Sequence, residues 1–309
     1  MGAPHAPVLL QETVQLLSPR EGLFVDATAG AGGHAEALLE AAPGLRLLAL
    51  DRDPAALAIC RERLAPFRGR VVFHLGNFVE LGEALDAAGE RGALGILADL
   101  GVSSMQIDEG SRGFSFRRDG PLDMRMGSDG ESAADIVARG DVSELTRIFR
   151  EYGEERMAYK IAQRIVNERE SNPILTTRQL ATLVEGVVGR GGKIDPATRV
   201  FQALRIEVNQ ELASLSRFLK TAVERLELEG RLAVLSYHSL EDRIVKDYFR
   251  RESSGCQCPP ALPVCVCGGE RILKILTRRP IRASAAEVDR NPRSRSGKLR
   301  VAERVAARP

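Results

Sequence analysis

Apolar positions between residues 22 and 100 fall into short runs separated by stretches of helical period. "GLFVDA" (22–27), "RLLALD" (46–51), "RVVFHLG" (70–76) and "ALGILADL" (93–100) read as four strands. Helices are expected at 32–42, at 53–64 and near 78–89, the second with Asp53 as N-cap and Pro54 in its first turn. Strands alternating with helices predict parallel βαβ units and a doubly wound sheet.

The pattern breaks over 104–130, a stretch rich in Gly, Asp, Arg and Ser. Helical periods follow at 141–152, 154–170 and 176–188, the last opening on a capping box from Thr176 to Gln179. One long helix is expected near 197–228. Strand-like "RLAVLSYHS" (231–239), an amphipathic "LEDRIVKDYFRR" and strand candidates at 271–277 and 298–303 complete the chain. The economical division is a discontinuous α/β core, 1–108 and 206–309, with 109–205 as a helical insert and candidate substrate-recognition domain.

Composition changes this picture little, and charge changes it more. The 309 residues are 44% apolar and 28% charged, ordinary for a globular chain. "MGAPHAPVLLQE" has neither a signal-peptide pattern nor, with Ala6 where Ser or Thr is wanted, a myristoylation site. No apolar stretch reaches membrane-spanning length, so a cytoplasmic protein is expected. Net charge is +2, yet residues 271–309 hold twelve Lys/Arg against three acids. A basic end on a mildly acidic body suits either a polyanionic partner or a solubilising tail.

The candidate chemistry sits at strand ends. Gly30-Ala-Gly32-Gly33-His34-Ala35 is a version of G-x-G-x-x-G/A at a strand-to-helix turn, and Asp51 ends the next strand. Phe78 follows the third strand and Asp99 the fourth. A dinucleotide needs such glycines for its pyrophosphate, whereas S-adenosylmethionine carries a carboxylate, an ammonium, a ribose and an adenine. The helix N-terminus at Gly32, Gly33 and His34 suits the carboxylate. Asp51 suits the ribose, Phe78 the adenine, and Asp99 either the ammonium or the reacting centre. The methyl donor fits these four positions better than a dinucleotide does.

Long strings then point further. "HAPVLLQE" (5–12), "TAGAGGHAEALL" (28–39), "LADLGVSSMQID" (97–108), "RGFSFRRDGPLDMRM" (112–126), "ATRVFQALRIEVNQEL" (197–212), "SYHSLEDRIVK" (236–246) and "NPRSRSGKLRVAER" (291–304) resemble the bacterial 16S rRNA cytosine-N4 methyltransferases, the RsmH family formerly called MraW. The resemblance spans nearly the whole chain in family order. It implies a Rossmann-like S-adenosylmethionine-dependent methyltransferase fold and 16S rRNA of the small ribosomal subunit, in its decoding centre, as partner. It adds Gln106 to the donor-binding set of Gly32, Gly33, His34, Asp51, Phe78 and Asp99. No oligomeric state follows from it.

Cytosine's amino nitrogen is a weak nucleophile, so in-line positioning is a main lever, worth up to roughly 7–11 kcal/mol. Asp99 is the candidate catalytic group, as an acceptor for the amino hydrogens; its other reading is a ligand of the donor's ammonium. A target base must first be exposed. Phe114, Phe116 and Arg125 in the Arg-rich stretch after the fourth strand are candidate base contacts, or anchors of the insert. Thr198, Gln202, Arg205 and Asn209 form a polar stripe that either lines the target pocket or is solvated. His238 is a candidate substrate contact or a support of its turn, where Ser239 and Asp242 resemble a capping box.

Cys256, Cys258, Cys265 and Cys267 form two C-x-C pairs, open to structural zinc, redox sensitivity or free thiols; no metal is assigned to the site. Two further functions compete: a nicotinamide-dependent oxidoreductase sharing the glycine turn, and a non-catalytic RNA-binding protein using the basic end.

Overall fold

The computed structural model describes residues 7–101, 110–127, 130–189, 195–255, 258 and 269–306. Gln106, Cys256, Cys265 and Cys267 lie outside the described residues. The chain divides into two compact units, 1–101 with 213–309, and 102–212. The seams fall after Gly101 and Leu212, where the sequence pattern suggested 108 and 205.

The first unit is built on a seven-stranded sheet of order β3-β2-β1-β4-β5-β7-β6. The strands are β1 (Gly22–Asp26), β2 (Leu45–Asp51), β3 (Val71–Leu75), β4 (Ala93–Asp99), β5 (Leu226–Ser236), β6 (Leu273–Ile275) and β7 (Lys298–Arg304). β1 to β5 run parallel, and β7 is antiparallel to both its neighbours. This is the expected doubly wound, mostly parallel sheet. Alternation assigns the faces. Leu23, Val25, Leu48, Leu50, Ile96 and Val234 meet α4 (Leu81–Ala87), α10 (Glu211–Arg225) and α11 (Ser239–Ser254) on one side. Phe24, Leu47, Ala49, Leu97 and Leu235 meet α1 (Leu10–Leu17), α2 (Gly33–Ala41) and α3 (Pro54–Arg63) on the other. Both faces being covered explains why β1, β2 and β4 read as continuous apolar runs.

Helix starts follow local signals. The Asp53 side chain accepts from the Ala55 N–H at the start of α3, with Pro54 at its first position. α1 is an element the hydrophobic pattern does not reveal: eight residues are too short for a periodicity to stand out.

The second unit is helical and has its own core. It contains α5 (Ala133–Arg139), α6 (Val142–Glu151), α7 (Ala158–Arg169), α8 (Thr177–Val188) and α9 (Ala197–Asn209). Leu145, Ile148, Phe149, Ile161, Ile165, Val200 and Leu204 pack together in it. The Thr176–Gln179 capping box opens α8 as expected. The long helix expected near 197–228 is two helices. Gln210 adopts a left-handed conformation, φ 48°, which closes α9 before α10 begins.

Candidate functional site

Three carboxylates end neighbouring parallel strands: Asp26 on β1, Asp51 on β2 and Asp99 on β4. Each is tied into the turns beyond the strands. Asp26 accepts from the Thr28 N–H at 3.2 Å, and the Asp99 N–H donates to the Thr28 hydroxyl at 2.6 Å. Asp51 Oδ2 accepts from the Gly30 N–H at 2.7 Å and Oδ1 from the Asp53 N–H at 2.8 Å. Each of its oxygens therefore keeps acceptor capacity beyond its backbone donor.

Negative charge is crowded along this edge. Asp26 is 1% exposed, and burial, reinforced by the Asp99 and Asp51 charges, pushes its carboxyl up to about 7. Asp51 is also shifted upward by burial, against the pull of its two backbone donors. Charge crowding of this kind favours a cation at the strand ends and disfavours a second anion.

The glycine turn divides its labour. Gly32 is the N-cap of α2 at φ 82°, and a Cβ there would stand 2.9 Å from the Cys60 sulfur. The space beside Gly33 is filled in the same way by Pro7. These two glycines serve packing as well as the turn. Gly30, at φ 51°, is different: only the Thr28 carbonyl lies near its missing Cβ, at 3.9 Å. Backbone is thus open to close approach at Gly30. No side chain caps α2, so its first-turn N–H groups remain an anion site next to the three acids.

His34 is buried, and its Nε2–H donates to the Val8 carbonyl at 3.1 Å. Burial lowers it to about 4, so the ring is neutral at pH 7. The 3.7 Å approach of Nδ1 to Asp99 is therefore a contact with a lone pair, not an ion pair. Phe78 opens a 3-10 turn capped by Asn77 and Glu80, and its half-buried ring meets Phe218 edge-on at 5.3 Å.

Tyr237 is a site residue that sequence reasoning missed, since it stands far along the chain from every expected donor ligand. Its hydroxyl donates to Asp99 Oδ1 at 2.6 Å, and burial with the Asp99 charge keeps it a phenol. Its backbone is aimed by Glu241, which accepts from the N–H groups of both Tyr237 and His238. His238 is itself the N-cap of α11, with Glu241 as the third residue of the capping box. The Ser239–Asp242 box expected from sequence is off by one residue: Asp242 instead binds Arg300 at 2.6 Å and Lys298 at 3.5 Å. Asp26 was missed too, although an Asp closing an apolar run was the available signal.

In the helical unit the candidate base contacts have internal partners. Phe116 packs edge-on against Phe201 at 5.0 Å, and the Arg112 guanidinium lies over Phe114 at 6.0 Å. Arg125 is bidentate to Asp123, and Arg205 is bidentate to Glu211. Asn209 binds the Met124 and Arg205 carbonyls and the Met126 N–H. Gln202 donates to the Tyr152 carbonyl. Three residues of the α9 polar stripe, Gln202, Arg205 and Asn209, thereby fasten parts of their own unit, a use that composition did not distinguish from solvation; among the described residues, the Thr198 side chain does not share in it. Cys258 is half-buried, and Cys60, pushed up to about 12 by burial, is an inert core thiol.

Known proteins match the chain over nearly its whole length. The profile of the MraW methylase family matches residues 2–305. A "Ribosomal RNA small subunit methyltransferase H" of Thermomicrobium roseum is 52% identical, over 99% of this chain and 95% of that protein. A protein of the same name from Geobacter sulfurreducens is 52% identical, over 97% and 99% respectively. Among solved structures, an rRNA methylase from Streptococcus thermophilus aligns over 98% of this chain and 100% of its own, at 11% identity and a TM-score of 0.44.

Proposed function

The chain belongs to the MraW methylase family, and from that premise we propose that it transfers a methyl group from S-adenosylmethionine to the exocyclic N4 of a cytidine in the decoding centre of 16S rRNA. The observation that carries the reading is the acidic strand edge beside an uncapped helix N-terminus. S-adenosylmethionine is a cation overall, with one carboxylate; its charges match acids at Asp26, Asp51 and Asp99 and N–H donors at the start of α2. A pyrophosphate would bring two negative charges to the same edge, which argues against the nicotinamide reading.

In this reading the N–H groups of Gly33 and His34 hold the donor's carboxylate, Gly32 makes the turn that presents them, and Gly30 lets backbone approach the donor. Asp51 accepts the ribose hydroxyls with the capacity its backbone donors leave. Phe78 presents a fixed ring to the adenine, and Gln106 belongs to the same set. When bound, the donor supplies an electrophilic methyl on a sulfonium. Asp99, with Oδ1 anchored by Tyr237, accepts hydrogens of an amino group, and that holds the cytosine nitrogen in line and localises its lone pair. The proton lost on transfer passes to water, since the methylated amine cation is strongly acidic. Phe114, Phe116, Arg125, Arg205 and Asn209 shape the helical unit as a substrate-recognition body, and His238 supports Tyr237 from its turn.

We place the reaction in the cytoplasm, with the small subunits it would act on. No helix among the described residues is long and apolar enough to cross a membrane. Two measurements test the proposal. Calorimetry should show binding of S-adenosylmethionine and none of NAD. Labelled methyl should then appear on N4 of one cytidine in small subunits taken from a strain lacking this protein. Label at another atom, or none with active donor binding, defeats the assignment.

A further inference from the structure

The basic residues of 271–309 separate into two populations. Those on the strands have partners within the fold. Lys274 lies 3.8 Å from Glu303, Lys298 and Arg300 share Asp242, and Arg304 donates to the Glu224 and Ala306 carbonyls. On the β6–β7 connection, residues 276–297, Arg293 is half-buried and Arg290 donates to the Ala286 carbonyl, while the other arginines are turned outward. Arg278, Arg279, Arg282 and Arg295 are exposed, and among the described residues no carboxylate pairs with them. The connection's two acids are Glu287, which accepts from the Leu9 N–H at 2.8 Å, and Asp289; its six arginines outnumber them.

Topology puts this connection where it matters. β6 runs in the direction of β5, so the chain leaves it at the carboxyl edge, and Ile281 bridges to Leu299 there. It returns at Lys298, opposite Ser236 at the carboxyl end of β5. Gly297, at its close, is packed so that a Cβ would stand 2.8 Å from Val8 and 3.8 Å from the ring of Tyr237, the residue that holds Asp99. An arginine-bearing connection therefore borders the acidic strand ends on one sheet edge.

We propose that the β6–β7 connection is a binding surface for the sugar–phosphate backbone of single-stranded rRNA, gripping the strand that leads to the target base. This rests on the reading of the protein as an rRNA methylase. An acidic edge suits the cationic donor but repels a polyanion; exposed guanidiniums carried on the same edge of the sheet supply the attraction that the acids lack. Arginine forks match phosphate oxygens bidentately, and such pairings set affinity and position, not sequence.

The test is the variant Arg278→Gln/Arg279→Gln/Arg282→Gln/Arg295→Gln, assayed on small subunits from a strain lacking the protein. The expected result is a KM for the particle raised about tenfold or more, with donor affinity within about twofold of wild type. The dependence of log K on log[salt] should become shallower by roughly 0.7 for each phosphate that the variant no longer neutralises. The fourfold Arg→Lys variant, which keeps the charge but not the fork, should recover the salt slope and only part of the affinity. Arg68→Gln/Arg91→Gln, exposed and just ahead of β3 and β4 at the opposite edge, should change neither KM nor slope. An active wild type whose fourfold Gln variant keeps its KM and salt slope, or an Arg68/Arg91 variant that is impaired as much, overturns the surface alone. A wild-type chain that transfers no methyl overturns the functional reading and the surface with it.

Discussion

Asp26 makes the energetics of the site depend on pH. The folded chain holds its proton up to about pH 7, whereas the unfolded carboxyl releases it near 3.8. Between those values the native state binds more protons than the unfolded one, so stability falls as pH rises through that window and levels off above it. The ceiling is on the order of 4 kcal/mol at 1.36 kcal/mol per unit. Asp26→Asn should remove this slope: its urea midpoint should gain on wild type as pH goes from 5 to 8. A cation brought beside Asp26 favours its ionised form, so donor binding at pH 7 should release up to about half a proton. Calorimetry in buffers of different ionisation enthalpy reads that release, and uptake instead would contradict a cationic ligand. For Asp99 and Tyr237 the measurable split is between turnover and binding. A hydrogen bond to a charged group is worth about 1.5–3 kcal/mol, so Tyr237→Phe should cut kcat about tenfold or more with donor affinity little changed. Asp99→Asn should lose turnover far more than donor affinity if Asp99 meets the base; equal losses would make it a donor ligand only.

Elements were legible where their signals are local. β1 to β4 followed from apolar runs, and α3 and α8 from caps within four residues of the helices they start. The break at Gln210 was not legible, because no Gly or Pro marks it. Its left-handed turn is bounded by Arg205 gripping Glu211 and Asn209 gripping the 124–126 loop, partners that a linear reading cannot pair. Tyr237 escaped for the same reason, lying 138 residues from the carboxylate it binds. The glycine turn was found from its spacing, but which glycine faces open space became visible only with Cys60 and Pro7 in position. At the β5–α11 junction the cap itself is testable. His238→Ala should cost about 1 kcal/mol, the usual worth of an N-cap, while His238→Asn should keep both stability and activity. Loss of turnover in a fully stable His238→Asn enzyme would show that the imidazole touches substrate.

At the scale of the molecule, each unit carries its own buried core. The cluster of the helical unit is drawn entirely from residues 122–204. A fragment spanning 102–212 should therefore give helical circular dichroism and a cooperative thermal melt; a broad, non-cooperative signal would show that its core needs the rest of the chain. Charge is apportioned on the same scale, with three acids gathered at strand ends and a group of outward-facing arginines on the β6–β7 connection. Sheet order adds a consequence for biosynthesis. β4 leaves the ribosome with one neighbour, β1, already made, but its other neighbour, β5, is encoded beyond the whole insert. At roughly 5–20 residues per second, the nascent protein spends on the order of ten seconds with that central strand as a bare edge. A protein of this wiring needs a chaperone, or early folding of the intervening helices, to keep an unfinished sheet from pairing with a stranger.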